Sequence, residues 1–306
     1  MKVISSPLTD KLKNTVAAIG IFDGMHRGHE YLLKKMIAKA KSLKARPMVI
    51  TFFPHPVHVI RPDVKLGYLV SMEHRLQLME KLGVEICLIV PFNKRFAAVK
   101  PDAFIRNVLV KQWGVRAVFV GRDFRFGRDR AGDVELFKRL SAECGYEMHP
   151  VAALKSGGEA VSSTRIRLLV AAGYLPHAQR LLGRPFSMLG KVKHGSGRGK
   201  GLGYPTANVD YQSDILPPNG VYAVRVIHKN ETLNGVANLG VRPSFKGKET
   251  TPQLEVYIFD VNRNMYGKTI EVQFIRHIRP ERKFNDPQEL VRQIRADELR
   301  ARRILK

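Results

Sequence analysis

Two histidines three residues apart, His26 and His29, stand in segment 20–29, which reads GIFDGMHRGH. In the first turn of a helix, that spacing puts both imidazoles on one side. Each ring can donate an N–H to a phosphate oxygen and, when protonated, adds positive charge. Asp23 and Gly24 are turn formers and would shape the backbone just ahead of the pair. The same glycines and histidines also fit a plain turn with surface imidazoles. A second polar group, Ser163, Thr164, Arg165 and Arg167, lies in SSTRIR. Hydroxyls, arginines and the first N–H groups of a helix suit a phosphate, and they equally describe an ordinary helix cap. A third stretch, 193–208 (KHGSGRGKGLGYPTAN), alternates glycine with small or basic residues without matching GxxxxGK[ST] or GxGxxG. Gly195, Gly197, Gly199, Gly201 and Gly203 would form a flap that brings backbone N–H groups, with Arg198 or Lys200, onto a polyphosphate. A basic loop before an edge strand has the same composition. Thr206 and Asn208 alternate in an extended segment, so both side chains face one way and can offer oxygens to Mg²⁺.

The elements that must hold these residues are legible on either side of them. Val16, Ala17, Ala18 and Ile19 read as a buried parallel strand, and Tyr31, Leu32, Leu33, Met36 and Ile37 as the inner face of a helix. A strand turning on glycines into a helix start makes an anion site, because free N–H groups and the positive end of the macrodipole point at one spot. Further strands are predicted over 47–53, 84–90, 115–120 and 146–151. Helices are predicted over 72–82, from Pro101 to Gly114, and from the Asp133 cap to Gly145. This alternation implies a parallel sheet covered on both faces, with ligands at the carboxyl ends of its strands. GRDFRFG at 121–127 follows the fourth strand directly. Asp123 there could accept hydrogen bonds from ligand hydroxyls, whereas Phe124 and Phe126 stack on a flat ring or, on the better reading, fill the core. His55 and His58 have metal-compatible spacing, but nothing nearby completes a ligand set, so a polar loop is expected.

After 183–187 (GRPFS) the periodicity changes. Runs at 220–229, 233–239, 254–259 and 269–275 alternate or are apolar between turn signals, which predicts a small antiparallel β domain, a barrel. Glu255 in the LEVYIF run is either a solvent-facing strand residue or a carboxylate aimed into a cleft, where partial burial would raise its basicity. A final amphipathic helix is capped by Asp286, with Pro287 first and Leu290, Ile294 and Leu299 inside.

At 306 residues the chain is long enough for two cores, and 44% hydrophobic with 26% charged residues is a globular composition. No apolar run approaches the roughly 20 residues of a membrane helix, and the first residues, MKVISSPLTDKLKN, contain no leader-like apolar core. Cys87 and Cys144 form no CxxC, which points to a reducing cytoplasm and away from zinc or a disulfide framework. Fifty-two basic against 27 acidic residues, net +25, favours polyanionic partners. The basic residues are spread along the chain and no nucleic-acid-binding motif accompanies them, so small phosphorylated ligands are preferred over nucleic acid.

GIFDGMHRGH resembles the signature of the HxGH nucleotidyltransferases, in the form found in bacterial bifunctional riboflavin kinase/FMN adenylyltransferases (FAD synthetases). GRDFRFG and SSTRIR resemble that family's GxDFxFG and second phosphate-binding motifs. GRGKGLGYPTAN resembles its riboflavin kinase signature, continued by GVYAV, GVANLGVRPSF, LEVYIFD, MYGKTIEVQF and IRPERKF. TFFPHPVHV resembles the family's TFxPHP stretch, with Phe53 where an acidic residue is common. The resemblance covers roughly residues 14–303. It implies an N-terminal Rossmann-like nucleotidyltransferase domain (1–183) and a C-terminal β-barrel of riboflavin kinase type with a terminal helix (184–306). Gly20, Phe22, Asp23, Gly24, His26, His29, Asp123, Ser163, Thr164 and Arg167 would bind nucleotide or flavin in the first. Gly197, Arg198, Gly201, Gly203, Thr206 and Asn208 would bind ATP in the second, with Mg²⁺ on Thr206 and Asn208 and Glu255 as the general base. The implied reactions take riboflavin to FMN and FMN to FAD with ATP as co-substrate. A basic RNA-binding protein on the same scaffold, or retention of one activity only, are the rival readings, and a homo-oligomer is left open.

Overall fold

The structure is a computed structural model that describes residues 1–5, 12–195, 201, 203–241, 252–284 and 286–306. The chain divides into two compact units, Met1–Gly67 with Met72–Ser162, and Tyr68–Ser71 with Ser163–Lys306.

The first unit is built on β2 (Thr15–Ile19), five residues buried throughout. A strand hidden on both faces reads as an unbroken apolar run, as this one does. Val16 and Ala18 pack with Leu33 and Met36 of α1 (Arg27–Ser42), while Ala17 and Ile19 pack on the opposite face with Phe104, Trp113 and Phe137. Six parallel strands lie in the order β1-β4-β3-β2-β5-β6. Besides β2 they are β1 (Lys2–Ser5), β3 (Arg46–Phe53), β4 (Ile86–Pro91), β5 (Val115–Gly121) and β6 (Glu147–Val151). The chain leaves β2 toward β3 on one side, and β5 flanks it on the other. The strand order therefore reverses at β2 and β5, and a crevice opens outside their carboxyl ends. Segments 20–29 and 121–127 emerge there. The helices include α2 (Pro56–Ile60), α3 (Met72–Lys81), short turns α4 (Lys94–Ala97) and α5 (Pro101–Ala103), and α6 (Val134–Cys144). A π-helix, Phe104–Gln112, continues α5. Asp133 caps α6 by accepting the Leu136 N–H at 2.9 Å, and Gly145 ends it in the left-handed conformation, as expected.

Two expectations change in this unit. Edge strand β1 is an addition, unreadable because three of its four residues are exposed and carry no inward pattern. Tyr31 is 40% exposed, and the inner face of α1 is Leu32, Leu33, Met36, Ile37 and Ala40.

The second unit is a closed antiparallel barrel in the order β10-β13-β12-β11-β14-β9. Its strands are β9 (Phe186–Lys193), β10 (Ala207–Tyr211), β11 (Gly220–His228), β12 (Glu231–Gly240), β13 (Gln253–Ile258) and β14 (Thr269–Arg279). β7 and β8 are a two-residue-per-strand hairpin (Lys155–Ser156, Glu159–Ala160) of the first unit. Full closure leaves no edge to aggregate, which a sheet of this size otherwise has to protect. The strands β9 and β10 complete the four read from periodicity. Helices α7 (Ser163–Ala171) and α8 (Leu175–Leu182) precede the barrel, and α8 packs on β9 and β14.

The terminal helix, Pro287–Leu305, lies on β11, β12 and β14, with the Asp286 carboxylate accepting the Gln288 N–H at 2.9 Å. Its inner side runs through Leu290, Ile294, Asp297, Ala301 and Leu305. Leu299, expected inside, is 53% exposed. Asp297 takes the buried position because a partner on β14 neutralises it. Among the described residues no helix is long and apolar enough to cross a membrane.

Candidate functional site

In the first unit the site is the turn between β2 and α1. Its backbone is left-handed at Phe22 (φ 55), Gly24 (φ 81) and Met25 (φ 41). Only glycine adopts that region at no cost; for the other two the penalty is of order 1–3 kcal/mol each, sustained only where surrounding contacts hold the turn. Those contacts are present. Phe22 and Met25 are buried in the α1 side of the core. The Gly20 N–H donates to Ile50 at 3.1 Å, and Thr51 Oγ1 donates to the Ile21 carbonyl at 3.1 Å. Arg75 Nη1 donates to the same carbonyl at 2.9 Å, while its Nη2 lies 3.4 Å from Asp23 Oδ1. Asp23 and Arg75 are 2% and 1% exposed, so their attraction acts in a low-dielectric surround.

His26 is the N-cap of α1 rather than its first helical residue, and its Nδ1 accepts the His29 N–H at 3.2 Å. Accepting at Nδ1 leaves the ring proton on Nε2, where it can be donated to an anion. The two imidazoles stack with centroids 3.6 Å apart and planes 15° apart, and Phe22 meets His29 edge-on at 5.2 Å. A Cβ on Gly28 would sit 3.1 Å from the His26 ring, so a larger residue there would press on the stack. The histidine pair and the helix N-terminus thus share one small region with Gly20, Asp23 and Gly24.

Asp123 is exposed in the loop after β5 and lines a cavity of about 530 Å³ with Arg122, Arg125, Asp133 and Lys138. Here the Asp133 carboxyl is held below the usual carboxylate range, chiefly by the Leu136 N–H and also by Arg125. Phe126 packs against Phe137 at 4.4 Å in the core, with Phe124 stacked beside it. His58 Nε2 is 2.7 Å from the Leu66 carbonyl, and among the described residues no three His, Cys, Asp or Glu side chains converge as a metal set. Ser163 and Thr164 open α7 in the second unit, with Arg167 one turn on.

Around the barrel, four residues on neighbouring strands fall in a single row: Lys193, Asn208, Glu255 and Asn238, on β9, β10, β13 and β12. Val192, Val209, Leu254 and Leu239, one position along each strand, are buried inside the barrel. Period-two alternation therefore turns the whole polar row outward. Its Asn238 and Glu255 face a cavity of about 330 Å³ between the barrel wall and the terminal helix, lined also by Thr206, Tyr257, Arg279, Phe284 and Asp297. Burial pushes the Tyr257 hydroxyl above its ordinary range. Asn208 lines an adjoining cavity of about 430 Å³ with Lys193, His194 and Asp210. Gly195 leaves room for it, since a Cβ there would lie 2.0 Å from the Asn208 amide nitrogen. Gly201 and Gly203 are exposed just before, and Gly197 and Arg198 lie outside the described residues.

Arg279 holds the helix that walls the cavity in front of Glu255. Its Nε and Nη2 donate to Asp297 at 3.0 and 2.8 Å, and Gln293 donates to the same carboxylate at 2.9 Å. Residue-type reading missed Arg75, Thr51, Asn238, Arg279 and Asp297. Asn238 alone left a local signal, as the polar position in the GVANLG alternation.

The FAD synthetase family model matches residues 8–165, and the riboflavin kinase model matches 182–305. The bifunctional riboflavin kinase/FMN adenylyltransferase of Escherichia coli (strain K12) is 39% identical over 94% of this chain and 91% of its own length. The protein of the same description from Bacillus subtilis (strain 168) is 36% identical over 96% and 93%. A crystal structure described as a macrolide-efflux protein from Streptococcus pneumoniae superposes with a TM-score of 0.84 at 30% identity, covering 99% of both chains. With both family models matched in order and full-length relatives above 30% identity, the chain belongs to the bifunctional riboflavin kinase/FMN adenylyltransferase family.

Proposed function

We propose a division of labour in which residues 184–306 phosphorylate riboflavin and residues 1–183 adenylylate the FMN so formed. The chain is a riboflavin kinase and an FMN adenylyltransferase: ATP and riboflavin give FMN and ADP, then ATP and FMN give FAD and pyrophosphate. What carries the assignment of chemistry to residues is the outward row on the barrel, which brings Glu255 to the wall of a cavity beside Thr206.

In the kinase reaction the nucleophile is a neutral hydroxyl and needs a base. Glu255 takes the riboflavin 5′-OH proton as the oxygen attacks the γ-phosphorus of ATP. Thr206 and Asn208 offer uncharged oxygens, the hard donors that suit Mg²⁺ shared with nucleotide phosphates. The ion would neutralise charge on the transferring group. Gly197, Arg198, Gly201 and Gly203 cover the phosphates. In the adenylylation reaction the nucleophile is an FMN phosphate oxygen, already anionic, so no protein base is required. His26 and His29 grip the triphosphate and stabilise the departing pyrophosphate. Gly20, Phe22, Asp23 and Gly24 shape that grip, and Asp123 contacts the flavin nucleotide. Two free cysteines, Cys87 and Cys144, support a reducing, cytoplasmic setting.

Incubation of the purified chain with riboflavin, ATP and Mg²⁺, with chromatographic separation of the flavins, is expected to give FMN first and FAD later. Chelation by EDTA should stop both and added Mg²⁺ restore both. Absence of FMN, or FMN that never becomes FAD, would overturn the bifunctional reading.

A further inference from the structure

The turn that carries the histidine pair is anchored by a residue 52 positions away from Asp23, in a different element. The Arg75 guanidinium reaches from α3 to two points of the turn at once, the Ile21 carbonyl at 2.9 Å and the Asp23 carboxylate at 3.4 Å. Thr51 on β3 bonds the same Ile21 carbonyl, so that carbonyl is held from two elements. Immediately after it come the left-handed Phe22, Gly24 and Met25, then the His26 cap and the first N–H groups of α1. Rotation of the Ile21 peptide would swing this whole series.

Apolar side chains could fill the space of a 1%-exposed arginine without the desolvation cost of a buried charge. What they lack is a planar fork that binds a carbonyl and a carboxylate in fixed relative orientation; a lysine, with a point charge on a flexible stem, can hold one of the two. At 1% exposure Arg75 is shut off from ligands in solution, so its influence on them passes through the turn.

We propose that Arg75 is a positioning residue for adenylyl transfer: by clamping Ile21 and Asp23 it sets the strained turn that aims His26, His29 and the α1 N-terminus at the ATP triphosphate. This rests on the reading of that turn as the triphosphate grip.

The test measures both reactions on the same full-length preparations of Arg75→Met, Arg75→Lys, Thr51→Val, His29→Ala and Met79→Ala. Met79 is fully buried on α3 but contacts neither Ile21 nor Asp23 through a hydrogen bond, and so reports simple loosening of the helix. Arg75→Met is expected to lower kcat/KM for FMN adenylylation about 10²-fold, with both KM for ATP and kcat shifted. Arg75→Lys should recover roughly tenfold of that loss, Thr51→Val should show a smaller defect of the same kind, and riboflavin phosphorylation should stay within about twofold throughout. Assayed well below its melting temperature, Met79→Ala should keep adenylylation near the parent value even where its melting temperature falls as far as that of Arg75→Met. Adenylylation within about threefold of the parent in Arg75→Met, or an equal loss in Met79→Ala, overturns the clamp. Should Arg75→Met fail to fold, Arg75→Lys and Thr51→Val decide the matter by the same split. An unimpaired His29→Ala would sink the triphosphate reading itself, whereas an impaired His29→Ala beside an unimpaired Arg75→Met would sink only the clamp.

Discussion

On the proposed reading, the two units would meet ATP with opposite constructions. In the first, a short turn of left-handed backbone is pinned from behind by buried donors, and the groups proposed to meet the ligand are the tip of one helix and two stacked rings. In the second, a regular strand alternation lines up polar side chains on four neighbouring strands, and the terminal helix walls a cavity at the Asn238–Glu255 part of the row. The difference tracks the nucleophiles. An FMN phosphate needs only to be aligned, so local strain held rigidly is enough. A riboflavin hydroxyl must also lose a proton, so the second site needs a carboxylate on a rigid wall with a cavity in front of it.

This contrast is most exposed to failure at Glu255. Glu255→Gln should lower kcat for riboflavin phosphorylation by about 10²–10⁴-fold while FMN adenylylation persists. A kinase rate unchanged in that variant would remove the base and with it the contrast in chemistry. Next in size, His29→Ala should cost adenylylation about 10²-fold and spare phosphorylation. Loss of both activities would mean that the two sites are not energetically separate. A smaller effect is expected from Arg279→Met, which leaves Asp297 buried without its bidentate partner and loosens the helical wall. KM for riboflavin should rise about tenfold, equivalent to ~1.4 kcal/mol, with adenylylation untouched. Equal KM in variant and parent would show that the helical wall is held by its apolar contacts alone.

The smallest effect concerns Cys87, whose thiol burial pushes up from 9.0 to about 12, opposed by the Arg75 charge. Because the folded value is raised, the contribution to stability is complete below the unfolded value near 9 and disappears as pH climbs toward the folded one. Alkylation by iodoacetamide at pH 8.5, read by mass spectrometry, should therefore mark the partly exposed Cys144 well before Cys87. Rapid labelling of Cys87 would mean that the α3 side of the sheet opens easily, which would weaken the picture of a rigidly backed turn.

Legibility in the amino-acid chain followed the same divide. The histidine turn, its strand and its helix could be read directly because glycine positions and apolar spacing are local properties. The Asp133 and Asp286 caps were readable for the same reason. Arg75 was not, because its meaning depends on Ile21 and Asp23, more than 50 positions earlier. Leu299 was assigned inward because an apolar residue was preferred to a charged one, and the Arg279–Asp297 pair reverses that choice. Two of the six barrel strands, β9 and β10, escaped periodicity because a glycine-rich stretch separates them and β10 is only five residues long. Glu255 shows the limit most clearly: alternation placed it on one face of a strand, but only pairing with Asn208 and Asn238 shows which neighbours share that face.

The alternation along β13 has a consequence for how this chain can change over time. Deleting or inserting a single residue before Glu255 within β13 would exchange Glu255 with a neighbour such as Leu254, burying a carboxylate and exposing a core side chain in one event. Substitutions can therefore retune the cavity beside Glu255 one contact at a time, whereas length changes are confined to the loops between strands, and the carboxylate proposed as the base inherits the protection that the barrel's own register enjoys.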